Sequence, residues 1–243
     1  MNKLYILVLA VGVLAIGAWY MGLWPENSTT PDEVYNPEIN PADFTTVINN
    51  TYFSLPVGRT FVYEGEAADG VERIEITISG ETKAVLGVET LVYRDKVWLD
   101  RILIEDTRDY LAQNSVTGDV WYFGEDVDNY EDGELKDHDG AWLAGIDGAK
   151  PGIWMKANPQ VADQYREEYY VGEAEDMAEI VSITESVEVP QGSYTNCLET
   201  KNWTPLEPGL VEFKYYCSEV AGLVLETNPT DGERIELIEV GGN

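Results

Sequence analysis

Histidine, cysteine and basic side chains are all scarce in this chain. Its one histidine, His138, excludes a zinc centre built on two or more histidines, and two cysteines are too few for a cysteine-rich one. A Ser-His-Asp system would have to use His138. That residue lies in Lys136-Asp137-His138-Asp139-Gly140, the setting of a solvated loop histidine. There is no Gly-x-Ser-x-Gly elbow, no phosphate-cradling loop and no Gly-x-Gly-x-x-Gly turn, so nucleotide chemistry has no foothold and no catalytic residue is nominated. Fifteen Lys and Arg face 45 Asp and Glu, a net charge of −30 over 243 residues. Such a surface repels phosphate backbones, which excludes general nucleic-acid binding, and it disfavours anionic headgroups.

What is present begins with a hydrophobic N-terminus. Leu4 to Trp24 is 21 residues without a charge, and a spanning helix needs about 20. Lys3 precedes the run and Pro25-Glu26 follow it, a bias that keeps the N-terminus inside and exports the bulk of the chain. Trp19, Tyr20 and Trp24 gather at its outer end, as interfacial aromatics do. A cleaved signal peptide is the alternative, with Ala15-Ile16-Gly17 as a small-x-small site, although the run exceeds the usual apolar region of about 7–15 residues. Residues 1–24 are expected to anchor a single-pass cell-membrane protein whose bulk is extracytoplasmic. Pro25, Pro31, Pro37 and Pro41, set among Asn, Ser, Thr and acids, mark residues 25–50 as a spacer. Asn40-Pro41 suits the start of a short helix through about Ile48.

Residues 51–243 then read as one β domain. Ile74, Ile76 and Ile78 alternate with Glu75 and Thr77, and Val181, Ile183, Val187 and Val189 alternate with polar residues. Strands are expected to begin near Phe61, Val71, Val88, Ile102, Val120, Tyr165, Ile180, Tyr194, Val211, Leu223 and Ile235. Turn pairs such as Asp69-Gly70, Asp132-Gly133, Gln191-Gly192 and Pro208-Gly209 separate them. The spacing predicts an all-β fold: an antiparallel meander forming a half-barrel or barrel, preceded by one transmembrane helix. Cys197 and Cys217 flank the turn at Pro205 to Gly209, with their midpoint at position 207. Residues equidistant from a hairpin turn face each other, so an exported chain is expected to join them in a disulfide.

Two stretches carry candidate binding chemistry. Glu125, Asp126, Asp128, Asp132 and Asp139 lie in one acidic segment and supply oxygens of the kind calcium takes. Tyr130 breaks the EF-hand pattern, and a hairpin turning at Asp132-Gly133 with acids toward solvent explains the segment without a metal. No cofactor is required; calcium is the alternative. The second stretch is aromatic and rich in glycine, a segment unlike a strand that is expected to cover a barrel mouth or a sheet face. Trp121, Phe123, Trp142, Trp154, Tyr165 and Tyr169 are its candidate ligand-binding residues, with ordinary core packing as the competing explanation. Asn27, Asn49 and Asn202 each open an Asn-x-Ser/Thr triplet, which chance also accounts for.

Three motifs carry a resemblance. They are the aromatic run ending in Gly124-Glu125-Asp126, then Trp142 with Asp147-Gly148-Ala149 and Pro151-Gly152, then Tyr165-Arg166-Glu167-Glu168-Tyr169 leading to Gly172-Glu173-Ala174-Glu175-Asp176. Over about Tyr52 to Val240 the chain resembles a family of exported bacterial proteins with no assigned function. That resemblance implies an independent exported domain and transfers no site. The long meander is also similar to the open half-barrels of LolA-type lipoprotein carriers, an analogy of fold only. The expected function is non-enzymatic binding of an apolar or amphiphilic envelope ligand, such as a lipid. The alternatives are an acidic calcium-binding or protein-interaction module and a carboxylate-based glycan hydrolase.

Overall fold

A computed structural model describes residues 35–67, 70–230 and 232–242. The expected N-terminal helix lies outside them; among the described residues no helix is long and apolar enough to cross a membrane. The helix expected from Asn40 is one 3-10 turn, Pro41–Asp43, capped by Asn40. It stops because Phe44 turns extended and pairs with a neighbouring strand instead.

Seventeen strands follow in chain order. They are β1 (Phe44–Thr45), β2 (Thr60–Ala67), β3 (Gly70–Thr77), β4 (Thr82–Val85), β5 (Val88–Leu99), β6 (Ile102–Asn114), β7 (Val120–Glu131), β8 (Glu134–Asp137) and β9 (Trp142–Leu143). Then come β10 (Lys150–Met155), β11 (Gln164–Arg166), β12 (Glu168–Tyr169), β13 (Met177–Val189), β14 (Gly192–Trp203), β15 (Glu212–Cys217), β16 (Gly222–Thr227) and β17 (Arg234–Gly241). All pairings are antiparallel. β2, β3, β5, β6, β7 and β10 pair in succession on one side, and β13 through β17 on the other. β17 returns to pair with β2 over Thr60–Gly65. The ring is therefore a nearly closed barrel rather than an open half.

The last gap is closed by one strand that changes partner. β11 pairs with β13, β12 pairs with β10, and Glu167 between them donates its backbone N–H to Asp176. The backbones come very close there. A Cβ on Gly152 would lie 2.2 Å from the Glu167 carbonyl oxygen, so only glycine fits.

The glycine-rich segment departs from expectation. β8, β9 and β10 lie end to end along β7 as one interrupted strand, pairing Glu134 with Glu131, Trp142 with Glu125 and Gly152 with Tyr122. Its loops bulge out between these contacts. Period two is lost in the sequence because the pairing is broken twice, not because the segment leaves the sheet.

Residues 46–59 cross one end of the barrel. Asn50 reaches the carbonyls of Gly118 and Lys156, and Ser54 bonds Ala221, all in loops at that end. The Phe53 ring, 2% exposed, lies 5.9 Å from Tyr93, 5.7 Å from Trp154 and 6.4 Å from Tyr216, on three separate walls. Cys197 and Cys217 form the disulfide, 4.3 Å apart at Cα, continuing the register that pairs Leu198 with Tyr216.

Truncating Phe53 to Ala removes the ring that ties those walls together. A loss of about 3–5 kcal/mol is expected. Urea unfolding reads it as an earlier midpoint at unchanged slope; an unchanged midpoint would show that this segment does not hold the barrel end closed.

Candidate functional site

Strand alternation turns an unusual set of side chains into the lumen. On β3, Glu72 shares the face of Ile74 and Ile76. On β5, Asp95 sits between Tyr93 and Val97. On β6, Glu105 and Asp109 flank Thr107, and Asp109 stands opposite Glu125 of β7. Glu167 and Glu168 come from the closing strand, and Asp176 follows it. Glu212 on β15 and Glu226 on β16 complete the circuit. Ten carboxyls thus line the lumen in strand order. Among the described residues one basic side chain answers them from within: Lys214, 3.5 Å from Glu212 and 3.7 Å from Glu226.

The acids are deeply buried: Asp95 and Glu168 are 0% exposed, and Glu72, Glu125 and Glu226 are 1%. Few oxygens are satisfied. Tyr122 donates to Asp109 at 2.8 Å, and Asn202 donates to Glu167 at 2.6 Å. Among the described residues neither oxygen of Asp95 has a hydrogen-bond partner, and Glu125 and Glu168 have only weak donors, the Tyr122 hydroxyl and the Trp142 indole N–H. A bare carboxylate in such a place is costly, so the proton is retained instead. Burial, reinforced by Glu233 and Glu226, pushes Glu72 up to about 9. Burial also raises Glu226 to about 8 against the pull of Lys214, and Glu105, Asp109, Glu167 and Asp176 each to about 7. Asp95, Glu125 and Glu168 rise well above the carboxyl range, by burial first and then through Asp109 for the first two and Asp176 for the third. Burial opposes the charge on Lys214, but Glu226 and Glu212 outweigh it.

The aromatic candidates divide between the two faces. Trp142 and Trp154 stand in the lumen, 5.3 and 5.0 Å from Tyr122; the Trp154 indole N–H is buried without a partner among the described residues, and that of Trp142 is directed weakly at Glu168. Tyr165 is also in the lumen and its hydroxyl is likewise unpaired. Trp121 and Phe123 face outward beneath Phe44, at 6.2 and 5.3 Å. Tyr169 packs outside against Tyr35 at 5.5 Å and beneath Arg166.

The five metal candidates are not brought together. Glu125 points inward. Asp126 is outside, bonded by Lys83 at 2.8 Å and by Tyr110. Asp128 is also outside, with Arg108 at 3.0 Å and His138 at 2.9 Å. Asp132 and Asp139 are exposed around the hairpin turn. Among the described residues no three His, Cys, Asp or Glu are gathered as metal ligands. Asn202, which opens one of the Asn-x-Thr triplets, is buried in the lumen.

Outside the barrel a groove of about 910 Å³ is lined by Glu64, Arg73, Glu75, Trp98 and Asp100, among others. Its Arg73 is already held by Glu64 at 2.6 Å and Glu75 at 2.9 Å. The lumen, by contrast, holds polar groups, among them the Asp95 carboxyl, the Trp154 indole and the Tyr165 hydroxyl, that no described residue satisfies.

Sequence reasoning missed most of the belt, but a signal existed. Glu72, Asp95 and Asp109 occupy apolar phases of their strands, the positions where an alternating pattern calls for a hydrophobic residue.

No family model matches the chain and no curated protein matches it. The lipoprotein carriers suggested by the meander are therefore not returned by either comparison. A solved structure described as a "putative lipoprotein" from Parabacteroides distasonis is similar, at 13% identity and a TM-score of 0.43, covering 79% of this chain and 99% of that one.

The belt fixes an unusual pH dependence. Folded values above unfolded ones mean that the native state binds more protons, so stability is lost as pH rises from about 4 through about 9. Asp106 and Asp126 oppose this only in acid: burial would raise them, but Arg94 and Lys83 hold them below the ordinary value. Urea unfolding is expected to give a larger free energy at about pH 5 than at about pH 8.5, and Glu125→Gln is expected to flatten the slope. Stability that climbs steadily to alkaline pH would contradict the neutral belt.

Proposed function

We propose that this chain is an exported, envelope-bound barrel whose lumen captures an amphiphilic ligand without catalysing a reaction on it. One observation carries the reading. Buried polar groups without a full set of partners, the Asp95, Glu125 and Glu168 carboxyls, the Trp154 indole and the Tyr165 hydroxyl, converge on one lumen around the Tyr122 ring, with the Trp142 indole and the Tyr122 hydroxyl the weak donors nearest Glu168 and Glu125. Each such group costs about 1–3 kcal/mol when left unsatisfied. Natural interiors tolerate few of them, and an occupant that bonds to them relieves the cost.

The lumen has two ends of different character. Toward the plug, Phe53, Tyr93, Tyr122, Trp154 and Tyr216 offer apolar and aromatic surface. Toward the other mouth, Glu72, Glu105, Asp176 and Glu226 stand near their strand ends. A ligand with an apolar body and a polar end meets both. The uncharged N-terminal run supports placement at a membrane, with the acidic domain outside it.

Native mass spectrometry tests this on the chain from Pro25 onward, isolated from its host without detergent. A reproducible organic adduct that is lost in a Trp154→Ala variant is expected. A bare mass, or one shifted by calcium alone, would overturn the lumen reading.

A further inference from the structure

We infer that the acid belt selects ligands through ammonium groups, binding a linear organic cation with two or more of them and releasing protons as it does so. This rests on the reading of the lumen as the binding site, and it names the chemistry of the ligand's polar end.

Charge balance comes first. Among the described residues the lumen presents ten carboxyls against Lys214 alone, and the two acids nearest Lys214 already share it. An anion is therefore rejected. A neutral occupant would leave the pattern of acids without use. A cation converts retained protons into ion pairs, which are strong where water is excluded.

Geometry then decides the kind of cation. Asp95, Asp109 and Glu125 stand on three consecutive strands, β5, β6 and β7: Asp109 faces Glu125 at about 5 Å, and Asp95, opposite Thr107, is offset diagonally from Asp109 by about 7–8 Å. They form a line along the wall rather than a cluster, and no three acids gather as metal ligands among the described residues. A single metal ion meets too few of them. A methylene chain with separated ammonium groups spans several, and its carbons lie against Tyr93, Tyr122 and Trp142, whose faces also attract ammonium groups.

The protons balance as follows. Glu125 faces Glu105 and Asp109 from β6, Glu168 from β12, and Asp176 beyond it, with Tyr122 on its own strand. None of these groups supplies a positive charge, so Glu125 keeps its proton until a cation reaches it. When an ammonium group arrives, the carboxyl ionises, the O–H bond breaks, and the proton leaves to bulk water. No electron moves and no covalent bond forms to the ligand.

Calorimetry of the full chain in a non-ionic detergent, with spermidine as probe at neutral pH, tests this. Titrations in phosphate and in Tris separate binding heat from buffer protonation. The expected result is saturable binding whose heat changes with the buffer, corresponding to about one proton or more released per spermidine. The Glu125→Gln/Glu168→Gln variant removes two acids with neutral isosteres and should weaken binding about tenfold or more, with its β circular dichroism intact. Binding unaltered in that variant would place spermidine on the acidic exterior and overturn the inference. Saturable binding with a buffer-independent heat would overturn the proton exchange. No spermidine heat, from a protein that still carries a native adduct, would overturn the ammonium class and leave the lumen reading standing. Neither heat nor adduct would overturn both.

Discussion

A carboxyl shut away from water must either find a positive partner or keep its proton, and this barrel is built around that choice. Closing the ring of strands turns ten acids inward, most of them away from water, while offering them, among the described residues, one lysine. Ionising them all would set like charges against one another in a medium that screens them poorly. Burial instead holds Glu72, Asp95, Glu125, Glu168 and Glu226 well above the ordinary carboxyl range, which favours their neutral forms. On the outer surface the same residue types behave normally: Asp106 pairs with Arg94 at 2.6 Å, and Asp126 with Lys83 at 2.8 Å. The fold thus sorts its carboxyls into two populations by strand parity, reset at the bulge before Glu125 and at the partner switch between Glu167 and Glu168.

The seam and the plug serve that sorting. The strand of Glu167 and Glu168 both closes the barrel and delivers two acids to the lumen. Gly152 permits the close backbone approach that makes this possible. At the far end Phe53 draws three walls together, so the lumen is sealed on the aromatic side while the acids gather toward the other mouth.

Much of the architecture was legible from residues alone. Strands beginning near Phe61, Val88, Ile102, Val120 and Ile235 are present with starts within one residue, because each is a long run rich in β-branched and aromatic residues that begins just after a turn. Cys197 and Cys217 were readable because their register is set by a local turn. The segment from Glu134 to Met155 was not, since its pairing to β7 is broken by two loops and no window keeps a period. The plug was also hidden. Phe53 meets Tyr93, Trp154 and Tyr216 across long sequence separations, and nothing local marks it. The acidic segment misled by proximity in sequence: consecutive strand residues point to opposite faces, so Glu125 and Asp126 never meet. Reading each acid by its strand phase would have found Asp95 and Asp109, whose neighbours two residues away are Tyr93, Val97 and Leu111.

The central claim is that the lumen holds neutral carboxylic acids at physiological pH. Infrared spectroscopy in deuterated water reads this directly, because a protonated carboxyl and a carboxylate absorb at separate frequencies. The account predicts a protonated-carboxyl band that persists at about pH 7, fades toward about pH 9 and shrinks in the Glu125→Gln/Glu168→Gln variant. A spectrum in which every carboxyl has ionised by about pH 5, as exposed acids do, would contradict it.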